Sequence, residues 1–250
     1  MYSIVEKIIN TSGLPLSEIF REKNRCYTYI NPVTYLSAVK EKSLFAKFDG
    51  LFADGSLLVI AIRLLYGKAV ERRSFDMTSM APELFSYAEK NGKTIYVVAS
   101  EQEELEKAIE IFGERYPELK FVGCRNGYFS SEEEMDAEAK HICLQNPDYL
   151  IVGMGVMAQE KFLIKVKEAG YKGIGFTCGG FIHQTALNGG KADYYPQIVN
   201  KMNIRFLYRM YKEPHTRKRY LKAALVFPLR LVWDRIRNND VRNMKQKTSI

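Results

Sequence analysis

Thr94-Ile95-Tyr96-Val97-Val98-Ala99 is a β-branched, apolar hexapeptide that runs directly into the acidic stretch Glu101 to Tyr116. The first segment reads as a buried strand and the second as a helix. The same alternation continues outward in both directions. Toward the C-terminus come Leu119 to Val122 as strand, Gly127 to Phe129 as loop and Ser131 to Gln145 as an acidic helix. Asp148 to Val152 (strand), Gln159 to Ala169 (helix) and Gly173 to Thr177 (strand) follow. Toward the N-terminus, Met80 to Asn91 is helical and Gly92 ends it. Leu51 to Ala53 is a short apolar strand that stops at Asp54-Gly55, ahead of a helix from Ser56 to Tyr66. Arg25 to Ile30 is a strand stopped by Asn31-Pro32, with a helix from Val33 to Lys42. The first 25 residues offer only a short helix around Tyr2 to Ile9.

Strands separated by helices of about 10 to 15 residues build βαβ units. The fold class expected is therefore α/β, a Rossmann-like parallel sheet with helices on both faces. Ligands of such sheets bind outside the carboxyl ends of the strands. Asn31, Asp54, Ala99-Ser100, Gly153 to Gln159 and Gly179-Gly180 all follow strand ends and belong along that edge.

Charge divides the chain differently. The net charge is +8 over 250 residues. From Lys201 onward there are 14 Lys and Arg against 3 Asp and Glu, a balance of +11, which leaves −3 on the first 200 residues. We expect a mildly acidic body over residues 1–200 and a basic helical appendage over 201–250. Lys201 to Tyr211 reads as one helix and His215 to Asn238 as another, interrupted at Pro228. Basic residues there are interleaved with Leu, Val, Phe and the only tryptophan, Trp233, a pattern of membrane-interfacial helices. Phe227, Leu231 and Trp233 are the residues expected to insert. A helix packed on the body with a solvated basic face is the alternative. No apolar run reaches the roughly 18 to 20 residues of a spanning helix. The start lacks the basic and apolar blocks of a signal peptide, so a cytosolic location is expected. Cys26, Cys124, Cys143 and Cys178 form no CxxC pair and read as reduced thiols.

Asp54 before Gly55 has two readings, a general base at the strand edge or a cap for the following helix. Gly153-Met154-Gly155 to Gln159 places backbone amides at a helix start, where phosphate binds well, but it matches neither GxGxxG nor a P-loop. Gly179-Gly180 either permits close approach of a ligand or is a plain loop, with His183 just beyond. Arg72, Arg73 and Asp76 lie in one loop, suited to ion pairs or a diphosphate. His183 has no partner at zinc-ligand spacing and no DxD occurs, so neither metal nor cofactor is expected.

Several short blocks, in order, carry a resemblance. They are Asn31-Pro32, Ala53-Asp54-Gly55, Glu114-Arg115-Tyr116-Pro117 and Gly127-Tyr128-Phe129. Pro147-Asp148 through Gly155, Gln159-Glu160-Lys161 and Gly179-Gly180 follow, then Leu207-Tyr208-Arg209, Glu213-Pro214 and Arg219-Tyr220. Over about residues 25–222 the chain resembles the WecG/TagA/CpsF family, glycosyltransferase family 26. The resemblance implies an inverting, metal-independent glycosyltransferase. It would move an N-acetylhexosamine, N-acetylmannosamine or its uronic acid, from a UDP-sugar to an undecaprenyl-diphosphate-linked acceptor in cell-envelope polysaccharide synthesis.

It also implies roles. Asp54 matches the family's catalytic base and Asn31 the residue that holds the donor sugar. Arg72 (or Arg73) matches the loop arginine, and Gln159 the helix-start glutamine. Gly153, Gly155, Gly179, Gly180 and His183 join the substrate-binding set. Arg209, Arg217 and Arg219 are the appendage arginines that would close the site at the cytoplasmic membrane face. The chain departs from the pattern at Tyr29 (for threonine), Ser74 (for glycine), Met157-Ala158 (for proline) and His183 (for aspartate), which bears on the donor sugar. A homo-oligomer is compatible with the sequence and not specified by it. Two other classes share features. A nucleic-acid-binding protein would use the basic tail but lacks a reading motif. A Rossmann-type oxidoreductase would share the fold but lacks the glycine fingerprint.

Overall fold

A computed structural model describes residues 3–188, 199 and 205–247, with the side chains of His215 and of 238–247 outside the description. The strands are β1 Arg25–Ile30, β2 Gly50–Ala53, β3 Thr94–Ala99, β4 Lys120–Arg125, β5 Tyr149–Gly153 and β6 Ile174–Thr177. They form one sheet in the order β2-β1-β6-β5-β3-β4, with every pairing parallel. The expected α/β architecture is the observed one.

Helices of the body are α1 Ile4–Ser12, α2 Leu16–Ile19, α3 Pro32–Ala38, α4 Lys42–Ala46, α5 Ser56–Tyr66, α6 Met80–Lys90, α7 Gln102–Arg115, α8 Glu132–Gln145, α9 Ala158–Glu168 and α10 Phe181–Leu187. Successive strand residues supply opposite faces, as a pleated strand requires. Cys26, Ile30, Leu51, Tyr96, Val98, Leu150 and Val152 join a core with α1, α3, α4, α5, α8 and α9. Tyr27, Tyr29, Phe52, Ile95, Val97, Tyr149, Ile151 and Phe176 join the other, with α2, α6, α7 and α10. The helix expected over Val33 to Lys42 is two helices, α3 and α4, and Gly179-Gly180 opens a helix, α10, where a loop was the alternative.

The basic segment folds as α11 Arg205–Lys212, a 3₁₀ turn Pro214–Thr216 and α12 Arg217–Lys247. The expected body–appendage boundary at 200/201 lies outside the described residues. Pro228 does not interrupt α12. It removes one intrahelical hydrogen bond, but Phe227 and Leu231 on either side are fully buried and hold the helix down. Burial of two such side chains is worth roughly 1.5–3 kcal/mol each. Phe227 meets Tyr35 of α3 edge to face, centroids 5.4 Å apart. Tyr35 Oη donates to Asp234 Oδ2 at 2.9 Å, and Arg230 Nε pairs with the same oxygen at 3.1 Å. Arg235 lies over the ring of Tyr66 at 4.7 Å, tying α12 to α5. Phe227 and Leu231 therefore face the protein, and of the three residues expected to insert into a membrane only Trp233 is exposed. The segment has apolar residues on opposite sides, and the body takes one of them.

Candidate active site

The site begins where β1 and β2 end side by side. Ile30 pairs with Ala53, and the Asp54 amide donates to the Ile30 carbonyl at 2.8 Å, so Asn31 and Asp54 leave the sheet together. Asn31 caps α3. Its Oδ1 accepts from the amides of Val33 and Thr34, both at 3.0 Å, and from Thr34 Oγ1 at 3.3 Å. That geometry fixes the amide orientation, because only the oxygen can accept. The Asn31 amide nitrogen makes no hydrogen bond among the described residues and remains a donor.

Asp54 is not a cap. Gly55 occupies the N-cap position of α5 with φ +94°, a conformation that favours glycine, and the helix start has no side-chain cap. The Asp54 carboxylate is half-buried. Burial raises its pKa, the negative charge of Asp76 raises it further, and Arg72, Arg205 and Arg209 oppose both. One carboxylate thus faces three guanidinium groups, one from the body and two from α11.

The segment after α5 returns to β2. Arg72 bridges Ala53 in parallel register, and the Arg73 amide donates to the Ala53 carbonyl at 2.9 Å. Adjacent residues in extended chain point opposite ways, and the two arginines differ accordingly. Arg73 is buried and held by Glu71 Oε2 at 2.8 and 3.1 Å and by the Leu14 carbonyl at 2.9 Å, with Phe52 beneath it. Arg72 acts on Asp54 and makes no side-chain hydrogen bond or ion pair among the described residues.

Asp76 anchors the appendage. Its carboxylate accepts from Ser74 Oγ (2.7 Å), the Thr78 amide (2.8 Å) and Thr78 Oγ1 (2.5 Å), and Arg205 Nη1 reaches it at 3.1 Å. Arg205 Nη2 also donates to Thr78 Oγ1 at 2.7 Å. Burial pushes the Asp76 pKa up, but the hydrogen bonds from Thr78 and Ser74 and the Arg205 charge outweigh it and hold the group below its ordinary value. Arg209 pairs with Glu213 at 3.2 Å and lies over the second glycine turn, where a Cβ on Gly180 would come within 3.1 Å of its Nη2.

The β5–α9 and β6–α10 turns are joined by a buried network. Gln159 Oε1 accepts from the Gly179 amide at 3.0 Å and Gln159 Nε2 donates to Glu160 Oε1 at 2.9 Å. Glu160 Oε2 accepts from the Met157 amide at 2.6 Å, and Thr28 Oγ1 donates to Glu160 Oε1 at 3.1 Å. Thr28 and Thr177 share a hydrogen bond of 2.7 Å. Burial raises the Glu160 pKa, against the hydrogen bonds it accepts. A carboxylate therefore already occupies the start of α9, where a phosphate was one reading of the sequence. Gly155 adopts φ +82° and opens onto free space. Gly153 is a packing position, since a Cβ there would meet Cys178 Sγ at 2.7 Å and the Gly179 carbonyl at 2.8 Å.

The structure thus brings Asn31, Asp54, Arg72, Gly179, Gly180 and Arg209 to one edge and sets Gln159 beneath them. His183 points to α7, with Nδ1 2.6 Å from Glu104 Oε1. Arg217 donates to the Met210 carbonyl at 2.9 Å, and Arg219 lies over Tyr220 at 5.9 Å; both are exposed. Arg205 and Glu160 were missed as site residues. Glu160 accepts from the N-cap amide of Met157, but methionine at that position leaves no Ser/Thr-x-x-Glu signature from which the contact could be read in the sequence. Among the described residues no three His, Cys, Asp or Glu side chains cluster as a metal site.

Comparison with known proteins gives this edge a context. The model of the Glycosyl transferase WecG/TagA/CpsF family matches residues 15–241. A UDP-Gal:alpha-D-GlcNAc-diphosphoundecaprenol beta-1,4-galactosyltransferase of Shigella boydii is 31% identical over 205 residues, 82% of this chain and 84% of that protein. An N-acetylglucosaminyldiphosphoundecaprenol N-acetyl-beta-D-mannosaminyltransferase of Bacillus subtilis strain 168 is 25% identical over 77% of this chain and 73% of its own length. The enzyme of the same name from Staphylococcus aureus strain NCTC 8325 is 28% identical over 64% of this chain and 59% of its own. With the fold, the ordered motifs and the match across nearly the whole length in agreement, the chain belongs to the WecG/TagA/CpsF family of glycosyltransferases.

Proposed function

We propose that the protein transfers a hexose from a UDP-sugar to an undecaprenyl-diphosphate-linked acceptor, with Asp54 as general base. The observation that carries this is the Asp54 carboxylate at the end of β2, which accepts no side-chain hydrogen bond among the described residues and lies under the charge of Arg72, Arg205 and Arg209. Asp54 removes the proton of the acceptor hydroxyl as its oxygen attacks the anomeric carbon. The bond from that carbon to the UDP oxygen breaks in the same displacement, and the arginines take up the charge that develops on the leaving diphosphate. The anomeric centre inverts. The names of the relatives, which specify beta products, agree with inversion of an α-linked UDP-sugar.

Asn31 offers its amide N–H groups to the donor sugar, Gly179 and Gly180 let it approach the backbone, and Gln159 fixes the position of that turn. Arg217 and Arg219 serve the appendage surface instead of the reacting centre. The motifs favour an N-acetylmannosamine-type donor, and the Shigella relative adds galactose as the competing donor. No metal ion takes part in this scheme. The acceptor's lipid places the reaction at the cytoplasmic face of an anionic membrane, which the basic appendage contacts; among the described residues no helix is long and apolar enough to cross one. Family membership leaves neither a nucleic-acid-binding nor an oxidoreductase reading favoured.

A thermal-shift titration tests the donor site. A ligand specific to the native state raises the melting temperature. UDP and one of UDP-galactose or UDP-N-acetylmannosamine are expected to do so with or without Mg²⁺, and NAD is not. Stabilisation by NAD and by no uridine nucleotide would contradict the proposal.

A further inference from the structure

Helix α12 is apolar on two opposite sides. Ala223, Phe227 and Leu231 face the body, and Leu221, Leu225, Leu229, Trp233 and Ile236 repeat every three or four residues along the other side. The second stripe lies open, with Leu225 and Leu229 each 75% exposed. Helix α5 repeats the arrangement within the catalytic body. Leu58 and Ile62 are buried, while Leu57, Ile60 and Leu64 form an outward stripe in which Leu64 is 78% exposed. Both helices bury their inner residues in the same core, on the same face of the sheet, and Arg235 over Tyr66 joins them. Their open stripes therefore both look away from that face.

Charge identifies the occupant. Between 56 and 66 and between 217 and 237 there is a single acidic residue, Asp234, and it is buried against Tyr35 and Arg230. The same stretches carry Arg63, Arg217, Lys218, Arg219, Lys222, Arg230, Arg235 and Arg237. Contiguous exposed apolar surface marks an interaction site, and apolar stripes framed by cations with no exposed anion fit a lipid surface with anionic headgroups.

We propose that α5 is the second half of a membrane-docking face, shared with the outward stripe of α12, so that the bilayer meets the catalytic body itself. Leu57 lies in the first turn of α5, three residues beyond Asp54. Docking through α5 sets the height of the catalytic carboxylate over the headgroups, where the diphosphate of a lipid-linked acceptor emerges. The inference rests on the lipid-acceptor function above.

The test is flotation of the full chain with phosphatidylcholine vesicles, with and without phosphatidylglycerol. The wild type, the α5 triple variant Leu57→Ser/Ile60→Ser/Leu64→Ser, and the single variant Leu64→Glu are compared, with melting temperatures to verify folding. Wild-type protein is expected to float with the anionic vesicles only. The triple variant is expected to lose about tenfold or more in vesicle binding and in transfer to a vesicle-embedded acceptor. Transfer to a short-chain, water-soluble acceptor is expected to stay within about twofold, because no α5 stripe residue touches the reacting groups. Leu64→Glu, at the most exposed position, is expected to show the same split in weaker form. Vesicle binding by the α5 variants equal to wild type would overturn the inference, as would an oligomer in solution that these variants dissociate without loss of vesicle binding. A wild type that ignores vesicles yet works on the soluble acceptor would overturn the docking face and leave the transferase reading standing.

Discussion

Two acidic residues at the carboxyl edge of the sheet, Asp54 and Glu160, both have pKa values raised by burial, and they do opposite things. Glu160 turns back on its own chain. It accepts from the Met157 amide, Gln159 and Thr28, and so fixes the β5–α9 turn to β1 and, through Gln159, to Gly179. Asp54 accepts none of the hydrogen bonds of its own helix start and instead faces Asp76 and three arginines. The difference teaches that burial marks a carboxylate as unusual and that its partners decide its use. A carboxylate bound by backbone and side-chain donors is structure. One surrounded by charges that are not its hydrogen-bond partners is available to a substrate.

The largest way to break this comparison is to neutralise each acid. Asp54→Asn is expected to reduce turnover by about 10²–10⁴-fold, the range of a lost general base, with UDP affinity nearly unchanged in a calorimetric titration. Its stability should move the other way. Burial holds the Asp54 carboxyl above its unfolded value in the folded state, so ionisation works against folding, and that penalty fades as pH falls through the folded value toward the unfolded one. Asp54→Asn is therefore expected to melt at or above the wild-type temperature at pH 7. Glu160→Ala leaves the Met157 amide, the Thr28 hydroxyl and the Gln159 amide without their acceptor, and is expected to destabilise the fold by at least about 2 kcal/mol in denaturant unfolding.

A second contrast is between neighbours. Arg72→Gln is expected to cost about 10²–10³-fold in kcat/KM, the scale of one electrostatic contact to a developing charge, with little change in melting temperature. Arg73→Gln removes a buried guanidinium and its hydrogen bonds to Glu71 and the Leu14 carbonyl and is expected to cost about 1–3 kcal/mol of stability, with a smaller effect on UDP binding. Equal effects of the two on catalysis would erase the distinction drawn here.

The smallest effect is on pH dependence. A base must be ionised to act, so the acid limb of kcat/KM is expected above the ordinary carboxylate range, where burial and Asp76 place Asp54. Arg72 lowers the Asp54 pKa, so Arg72→Gln should move that limb to higher pH. A limb that moves down, or stays fixed, would separate Asp54 from the titrating group.

Much of the fold was legible because strand and helix periodicities are local. The six strands are readable as short apolar or β-branched stretches that alternate with helical ones, and the strand-end rule places Asn31, Asp54 and Gly179-Gly180 on one edge. Choices that depend on distant partners were not legible. The residues around Asp54 do not distinguish a cap from a base: Gly55 takes the N-cap position only in the folded helix, and Arg205 and Arg209, whose charges act on Asp54, lie about 150 residues away in sequence. Period-two alternation predicts that Arg72 and Arg73 diverge but not which one faces the site; the bridge from Arg72 to Ala53 decides that. In the same way α12 offers two apolar sides, and only the packing of Phe227 on Tyr35 shows which one the body covers. Helix α10 went unread because its glycine pair looks like loop punctuation.

The most direct test of the account is transfer of labelled sugar from UDP-galactose and from UDP-N-acetylmannosamine to a synthetic N-acetylglucosaminyl-diphosphate lipid, by the wild type and by Asp54→Asn side by side. A β-linked product is expected from one of the two donors with the wild type, and at least about a hundredfold less from the variant. No product from either donor, or a variant that keeps pace with the wild type, would contradict it.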